Sequence, residues 1–143
     1  MKVWLIGVLL SVLPLVSYAG ESFLRLNNGE YEIPAIVNLP ESDQAVPAVV
    51  LLHGTASHKN EVGNLYARLA AALARVGIGS IRIDFAGTGD SSVSYRYYTL
   101  KSAVRDATVA LKYMQAQPQV NSEKLGVVGF SQGGLIAQLL IAQ

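Results

Sequence analysis

The chain has 143 residues, 51% of them hydrophobic and 15% charged, with 11 Lys+Arg against 10 Asp+Glu and no cysteine. That length fits one domain and the apolar share excludes a disordered tail; the missing cysteines exclude a disulfide scaffold, thiolate zinc sites and a cysteine nucleophile. A net charge of +1 leaves no electrostatic footprint for nucleic acid.

Met1 to Ala19 reads as a secretory leader. Lys2 supplies a positive start, Val3 to Val16 is an uncharged apolar run, and Ser17-Tyr18-Ala19 puts small residues where a signal peptidase inspects them. The run is shorter than the ~20 residues of a membrane-spanning helix, Pro14 near its end favours a cleavable segment, and no cysteine is present to take a lipid. Cleavage is expected before Gly20. It would leave a formally neutral mature domain over residues 20–143, exported to a periplasm or the exterior without a stable membrane anchor.

Phe23 to Leu26 and Tyr31 to Leu39 read as extended segments joined by the turn Asn27-Asn28-Gly29. Pro34 interrupts the second, which therefore suits a sheet margin. Pro40 to Pro47 reads as a polar loop. Ala48 to Leu52, Gly79 to Ile83 and Leu125 to Val128 are apolar runs of the kind buried on both faces of a parallel sheet, although Arg82 interrupts the middle one. Helical spacing separates them. Leu65, Leu69, Ala72, Leu73 and Val76 form one stripe, with Gly77 suited to the helix end. Thr99 is placed to cap a second helix with the stripe Leu100, Val104, Ala107, Leu111 and Met114. A third helix begins near Gln132 and carries Leu135, Ile136, Leu139 and Leu140. Alternating strands and helices predict an α/β three-layer sandwich, a mostly parallel sheet with helices on both faces.

Gly129-Phe130-Ser131-Gln132-Gly133 is G-x-S-x-G, and it lies where an apolar strand gives way to a helix. That context is a nucleophile elbow: a strained turn that lifts Ser131 Oγ clear of the sheet, with Gly129, Gly133 and Gly134 providing room. The competing reading is a glycine-rich strand-to-helix turn with an idle serine. A second feature, His53-Gly54-Thr55, follows the Ala48 to Leu52 strand.

Through "LLHGTASHKNE", "RIDFAGTGDS" and "GVVGFSQGG", in that order, the chain from about Ala48 to Ala142 resembles the α/β-hydrolase family. Within it the chain looks most like esterases of the cinnamoyl/feruloyl type and related acyl-aminoacyl or dipeptidyl peptidase-like hydrolases. The resemblance implies that Ser131 is the nucleophile and that the backbone N–H groups of Thr55 and Gln132 form an oxyanion hole, a role that needs no particular side chain at either position. It makes His53 and Gly54 structural parts of the oxyanion loop. His58, among polar neighbours, reads as solvated; two histidines without a carboxylate at ligand spacing give no metal site, and no cofactor is implied. The loop Asp84 to Ser91 resembles the family's D-x-x-G-x-G-x-S segment, with Asp84 and Asp90 as loop anchors and not triad acids. Its glycines lack the spacing of a dinucleotide fingerprint.

The family's triad runs serine, acid, histidine, and no Asp, Glu or His follows Ser131. The expectation is an N-terminal portion of a longer hydrolase acting on small-molecule esters. In that reading this chain is inactive alone, because a serine without its base is a weak nucleophile, and its last strand is an unpaired sheet edge. A serine peptidase, an acyltransferase, and a non-catalytic exported fragment that binds through that edge are the alternatives.

Overall fold

The computed structural model describes residues 20–142; the leader assigned to Met1 to Ala19 lies outside the described residues. Five strands, β1 (Glu21–Asn27), β2 (Glu32–Asn38), β3 (Val46–Leu52), β4 (Gly79–Ile83) and β5 (Val120–Gly129), form one sheet in the order β1-β2-β4-β3-β5. Three helices accompany them: α1 (Leu65–Arg75), α2 (Leu100–Gln115) and α3 (Gln132–Ile141). The sheet is mixed. β4, β3 and β5 run parallel, while β2 joins β4 and β1 joins β2 in antiparallel fashion. Among the described residues no helix is long and apolar enough to cross a membrane.

The order follows from the connections. β3 crosses to β4 through α1, and β4 crosses back over β3 to β5 through α2, so the two crossovers travel in opposite directions. Crossovers of one hand then place their helices on opposite faces. Leu51, Tyr66 and Ala70 make a small core under α1, and a larger core joins the other sheet face to Ala103, Ala107, Met114, Ile136 and Leu140 of α2 and α3.

Several boundaries differ from the sequence expectation. β2 lies inside the sheet and β1 forms the margin. Pro34 is tolerated there because the ladder to β4 begins at Ala35, so its missing N–H falls beyond that ladder while its carbonyl accepts from Asp84 N–H at 2.9 Å. Tyr31 belongs to the hairpin turn. The Asn28 side chain accepts the Glu30 and Tyr31 amides, both at 2.9 Å, and donates to the buried Asp106 of α2 at 2.7 Å, which pins the turn to that helix. Pro47 lies within β3, where the pairing with β5 shifts register between Val46 and Ala48, and β5 starts earlier than read, at Val120.

Thr99 caps α2 with Ser102 in a reciprocal capping box. The inner face of α1 is rotated from the predicted stripe: Tyr66 and Ala70 are buried, whereas Leu65 and Val76 are exposed. Tyr66 dictates this, since its hydroxyl donates to the Leu52 carbonyl at 2.9 Å beneath the helix. β5 forms the other margin of the sheet, with Val128 and Phe130 exposed there and Leu135, Leu139 and Ile141 exposed on α3.

Candidate active site

β3 and β5 are in parallel register with Leu52 opposite Gly129, so the segments leaving their C-terminal ends emerge side by side. Leu51 lies opposite Arg82 on the other flank, which brings the loop after β4 to the same end. Carboxyl ends of parallel strands where crossovers diverge are where such sheets hold their ligands. His53-Gly54-Thr55, Phe130-Ser131-Gln132 and Asp84 to Ser91 all meet there.

Ser131 has φ 52° and ψ −119°, a strained backbone conformation for a residue with a side chain. The turn is clamped by three backbone bonds: Phe130 N–H to Leu52 O at 3.1 Å, Gly133 N–H to Phe130 O at 2.8 Å and Gly134 N–H to Ser131 O at 2.9 Å. Ser131 is the N-cap of α3, yet its side chain makes no capping bond and the residue is exposed. A serine N-cap in extended backbone ordinarily accepts an amide of the first turn; this backbone leaves the hydroxyl free at the positive end of a helix. Gly129 and Gly133 are required by space. A Cβ on the first would lie 2.1 Å from Gly133 O, and on the second 2.0 Å from Leu52 O. Gly134 is not so constrained, because its Cβ would meet Gly129 O at an ordinary 3.5 Å.

Gly54 packs directly against this turn; a Cβ there would sit 3.4 Å from Ser131 Cβ. Among the described residues neither the Thr55 amide nor the Gln132 amide is bound to a protein acceptor. The side chains of these two residues do meet, which the sequence did not reveal. Thr55 Oγ1 donates to Gln132 Oε1 at 3.1 Å, and Tyr98 Oη donates to the same oxygen at 2.7 Å. Burial pushes the Tyr98 phenol up to about 12, so it remains a donor.

His53 is buried, with only 1% of its surface exposed. Its Nδ1 contacts the Gly54 carbonyl at 2.7 Å, and its Nε2 accepts from Phe85 N–H at 3.3 Å, a pattern met by the neutral ring with its proton on Nδ1. Burial lowers its pKa, which keeps it neutral. His58 is exposed, and its Nδ1 accepts the Asn60 amide at 3.3 Å. Lys59, the neighbour of the exposed His58, is instead buried. Its ammonium bridges Asp84 and Asp90, each at 2.6 Å, while its own amide donates to Asp84 Oδ1 at 2.7 Å and the Asp90 amide to Asp84 Oδ2 at 2.8 Å. Burial works against the Lys59 charge, but the bonds to Asp84 and Asp90 outweigh it and hold its pKa above the usual range. This cluster ties the loop after β3 to the loop after β4, and β4 lies on the far side of β3 from β5.

Glu61 was not singled out in the sequence. It is 2% exposed, and its carboxylate accepts the Gly54 amide at 2.6 Å, the Ser57 hydroxyl at 2.8 Å and the Val62 amide at 2.8 Å. Burial raises the pKa of this carboxyl, but those three donors overcome the effect and leave it below the ordinary carboxylate range. Among the described residues no group of His, Cys, Asp and Glu could hold a metal ion.

Comparison with known proteins agrees with this arrangement. Ferulic acid-bound Est1E from Butyrivibrio proteoclasticus superposes with a TM-score of 0.74 at 22% identity, covering 83% of this chain and 47% of that one. A hypothetical protein from Pseudomonas aeruginosa gives 0.77 at 23% identity over 99% and 44%, and a dienelactone hydrolase from Anabaena variabilis 0.72 at 20% over 88% and 58%. An uncharacterized protein of Saccharomyces cerevisiae is 38% identical over 52% of this chain and 27% of its own length. The chain thus spans about half or less of the length of most of these relatives. The family model described as serine aminopeptidase, S33, matches residues 43–143, a stretch that holds both the turn after β3 and the turn after β5. With that match and this sheet order, the chain belongs to the serine aminopeptidase, S33 family and has the α/β-hydrolase fold.

Proposed function

We propose that this chain carries the nucleophile and the oxyanion hole of an exported serine hydrolase that cleaves small carboxylic esters through an acyl-enzyme on Ser131. The observation that carries the reading is the strained, uncapped Ser131 beside the oxyanion loop, whose Thr55 amide, like that of Gln132, is unbound. In this reading Ser131 Oγ bonds to the substrate carbonyl carbon and passes its proton to a base, while the carbonyl electron pair moves onto oxygen. The Thr55 and Gln132 N–H groups stabilise that oxyanion without reorganising, and loss of one such donor costs about 2.7–4 kcal/mol. Collapse expels the alcohol, which takes up the proton, and water releases the acid.

His53 is unsuited to be the base, since it is buried and both ring nitrogens are engaged. No Asp, Glu or His follows Ser131 in this sequence, and a serine without its base is a weak nucleophile, so in this reading these residues alone do not turn over ester. The ester class draws support from the ferulic acid bound to Est1E. A second reading, cleavage of an amino-terminal residue from a peptide, draws support from the family's description.

The test is a fluorophosphonate probe on the full-length gene product, followed by turnover of p-nitrophenyl acetate, methyl ferulate and an aminoacyl-p-nitroanilide. Labelling at Ser131, lost in Ser131→Ala along with ester turnover, is expected. A protein that turns over esters with Ser131 unlabelled, or replaced by alanine, refutes the assignment; preference for the anilide selects the peptidase.

A further inference from the structure

Three observations single out Glu61 within the loop that follows β3. It is a buried carboxylate, 2% exposed, in the same loop as the exposed His58. Its backbone is held at φ 59° and ψ 171°, a region that side chains other than glycine's hydrogen seldom enter and that persists only where surrounding contacts enforce it. Its two oxygens accept three donors, and one of these, the Gly54 amide at 2.6 Å, belongs to the residue just before Thr55.

The consequence is geometric. The peptide between Gly54 and Thr55 carries the Thr55 N–H at one end and the Gly54 carbonyl at the other, pointing opposite ways in a trans unit. Its carbonyl is held by His53 Nδ1 at 2.7 Å and by the Ser57 amide at 3.3 Å. Glu61 fixes the rest, because it grips the amide preceding that peptide and the hydroxyl of the Ser57 whose own amide holds the carbonyl. Without the carboxylate, the Gly54 N–H is a buried donor without a partner, and a glycine backbone has wide freedom to turn and satisfy it elsewhere.

We propose that Glu61 is a positioning residue for the oxyanion hole: its buried carboxylate sets the plane of the Gly54 amide and thereby aims the Thr55 N–H. The inference rests on the proposed function, since it concerns the same hole. Glu61 never touches substrate; it acts through Gly54. Its contribution is therefore greatest in the transition state, where charge develops on oxygen, and small for a ground-state ester.

The experiment uses the full-length gene product with Glu61→Gln and Ser57→Ala. Three quantities are read: kcat and KM on p-nitrophenyl acetate, and the affinity for a trifluoromethyl ketone, which binds serine as an oxyanionic adduct. Glu61→Gln keeps the shape but offers only one carbonyl oxygen to three donors. It is expected to lower kcat by about 10- to 100-fold, somewhat less than outright loss of a donor, with KM within about threefold and ketone affinity falling in parallel with kcat. Ser57→Ala removes one of the three donors and leaves Gly54 engaged; a parallel loss of about two- to fivefold in kcat and ketone affinity is expected, which serves if Glu61→Gln does not fold. A wild type labelled at Ser131 whose variants keep full ketone affinity overturns the proposal alone. So does a loss confined to thermal stability or to KM. An active wild type not labelled at Ser131 overturns the nucleophile assignment and this proposal together.

Discussion

Two adjacent glycines at the start of α3 permit a controlled test of the elbow. Both lie in helical backbone with no positive φ, so replacing either by alanine would ordinarily stabilise the helix by about 1 kcal/mol. Their surroundings differ. A Cβ at Gly134 meets its nearest neighbour at 3.5 Å, whereas at Gly133 it lies 2.0 Å from Leu52 O and 2.8 Å from His53 O. These are backbone atoms and cannot swing aside. Leu52 O also accepts from Phe130 N–H at 3.1 Å and Tyr66 Oη at 2.9 Å, so displacing it weakens two buried bonds at about 1 kcal/mol each. Forced overpacking adds about 1–3 kcal/mol. Against the helix gain, Gly133→Ala is expected to destabilise the full-length protein by roughly 2–4 kcal/mol, while Gly134→Ala stabilises it by up to about 1 kcal/mol. For a domain of 150–250 residues each kcal/mol is about 2–4 °C in Tm, so the two melting temperatures should differ by roughly 4–20 °C. Calorimetry reads the gap, and fluorophosphonate labelling of Ser131 should slow in the Gly133 variant alone. Equal melting temperatures, or a more stable Gly133→Ala, would refute the argument that the turn leaves no space for a methyl group.

His53 makes stability depend on pH. Its folded pKa lies below the ordinary 6.5, so its contribution is present above that value and is lost as pH falls through the folded pKa. Chemical unfolding between pH 7.5 and about 5 should show falling stability, and His53→Asn should flatten that slope; a native protein that gains stability over this range contradicts the reading. Asp106, whose folded pKa burial raises, has the opposite sign and its effect is centred lower, near the carboxylate range. Lys59→Met should cost about 3–5 kcal/mol in urea unfolding, because it leaves the fully buried Asp84 carboxylate without its cation. Asp90→Asn should cost only about 0–1 kcal/mol, since the Asp90 side chain is 68% exposed; similar losses in the two variants would refute the distinction.

What could be read in advance was whatever the chain encodes locally. The strained turn at Ser131 is legible because an apolar strand, a serine and spaced glycines must be contiguous, and Thr99 announced the start of α2 because its capping partner is three residues away. Glu61 and Lys59 were missed for the opposite reason. Nothing near them in sequence distinguishes them from solvated loop residues; Lys59 is drawn inward by Asp84 and Asp90, and Glu61 by a backbone amide seven residues back that is available only once β3 has ended. Tyr66 is a similar case. Hydropathy places the apolar stripe of α1 on its leucines, yet one phenol with a carbonyl to satisfy rotates the helix toward itself, and the energy of an unmet buried donor exceeds that of a half-exposed Leu65. Pro34 and Pro47 misled because their cost depends on which side of the strand faces a ladder, a property of pairing and not of composition.

The buried polar groups of the loop after β3 are consistent with one logic. An oxyanion hole works only if its donors are already aimed, so in the proposed function the orientation of the Thr55 and Gln132 N–H groups must be enforced by groups that do not move when substrate arrives. The Gln132 amide is enforced by covalent geometry: the elbow turn and α3 fix it, and the glycines need only stay out of the way. The Thr55 amide has no such support, since it sits in a loop beside a glycine. Around it lie several buried polar groups, with Glu61 on the Gly54 amide, His53 on the Gly54 carbonyl, and Lys59 with Asp84 holding the following segment against β4. Buried charges are ordinarily a liability to stability, and a hydrophobic substitute of the same shape would serve the core as well or better. Only directional hydrogen bonds can hold a peptide plane, however, and their clustering around the one loop whose donor is not fixed by a helix is what the proposed chemistry requires.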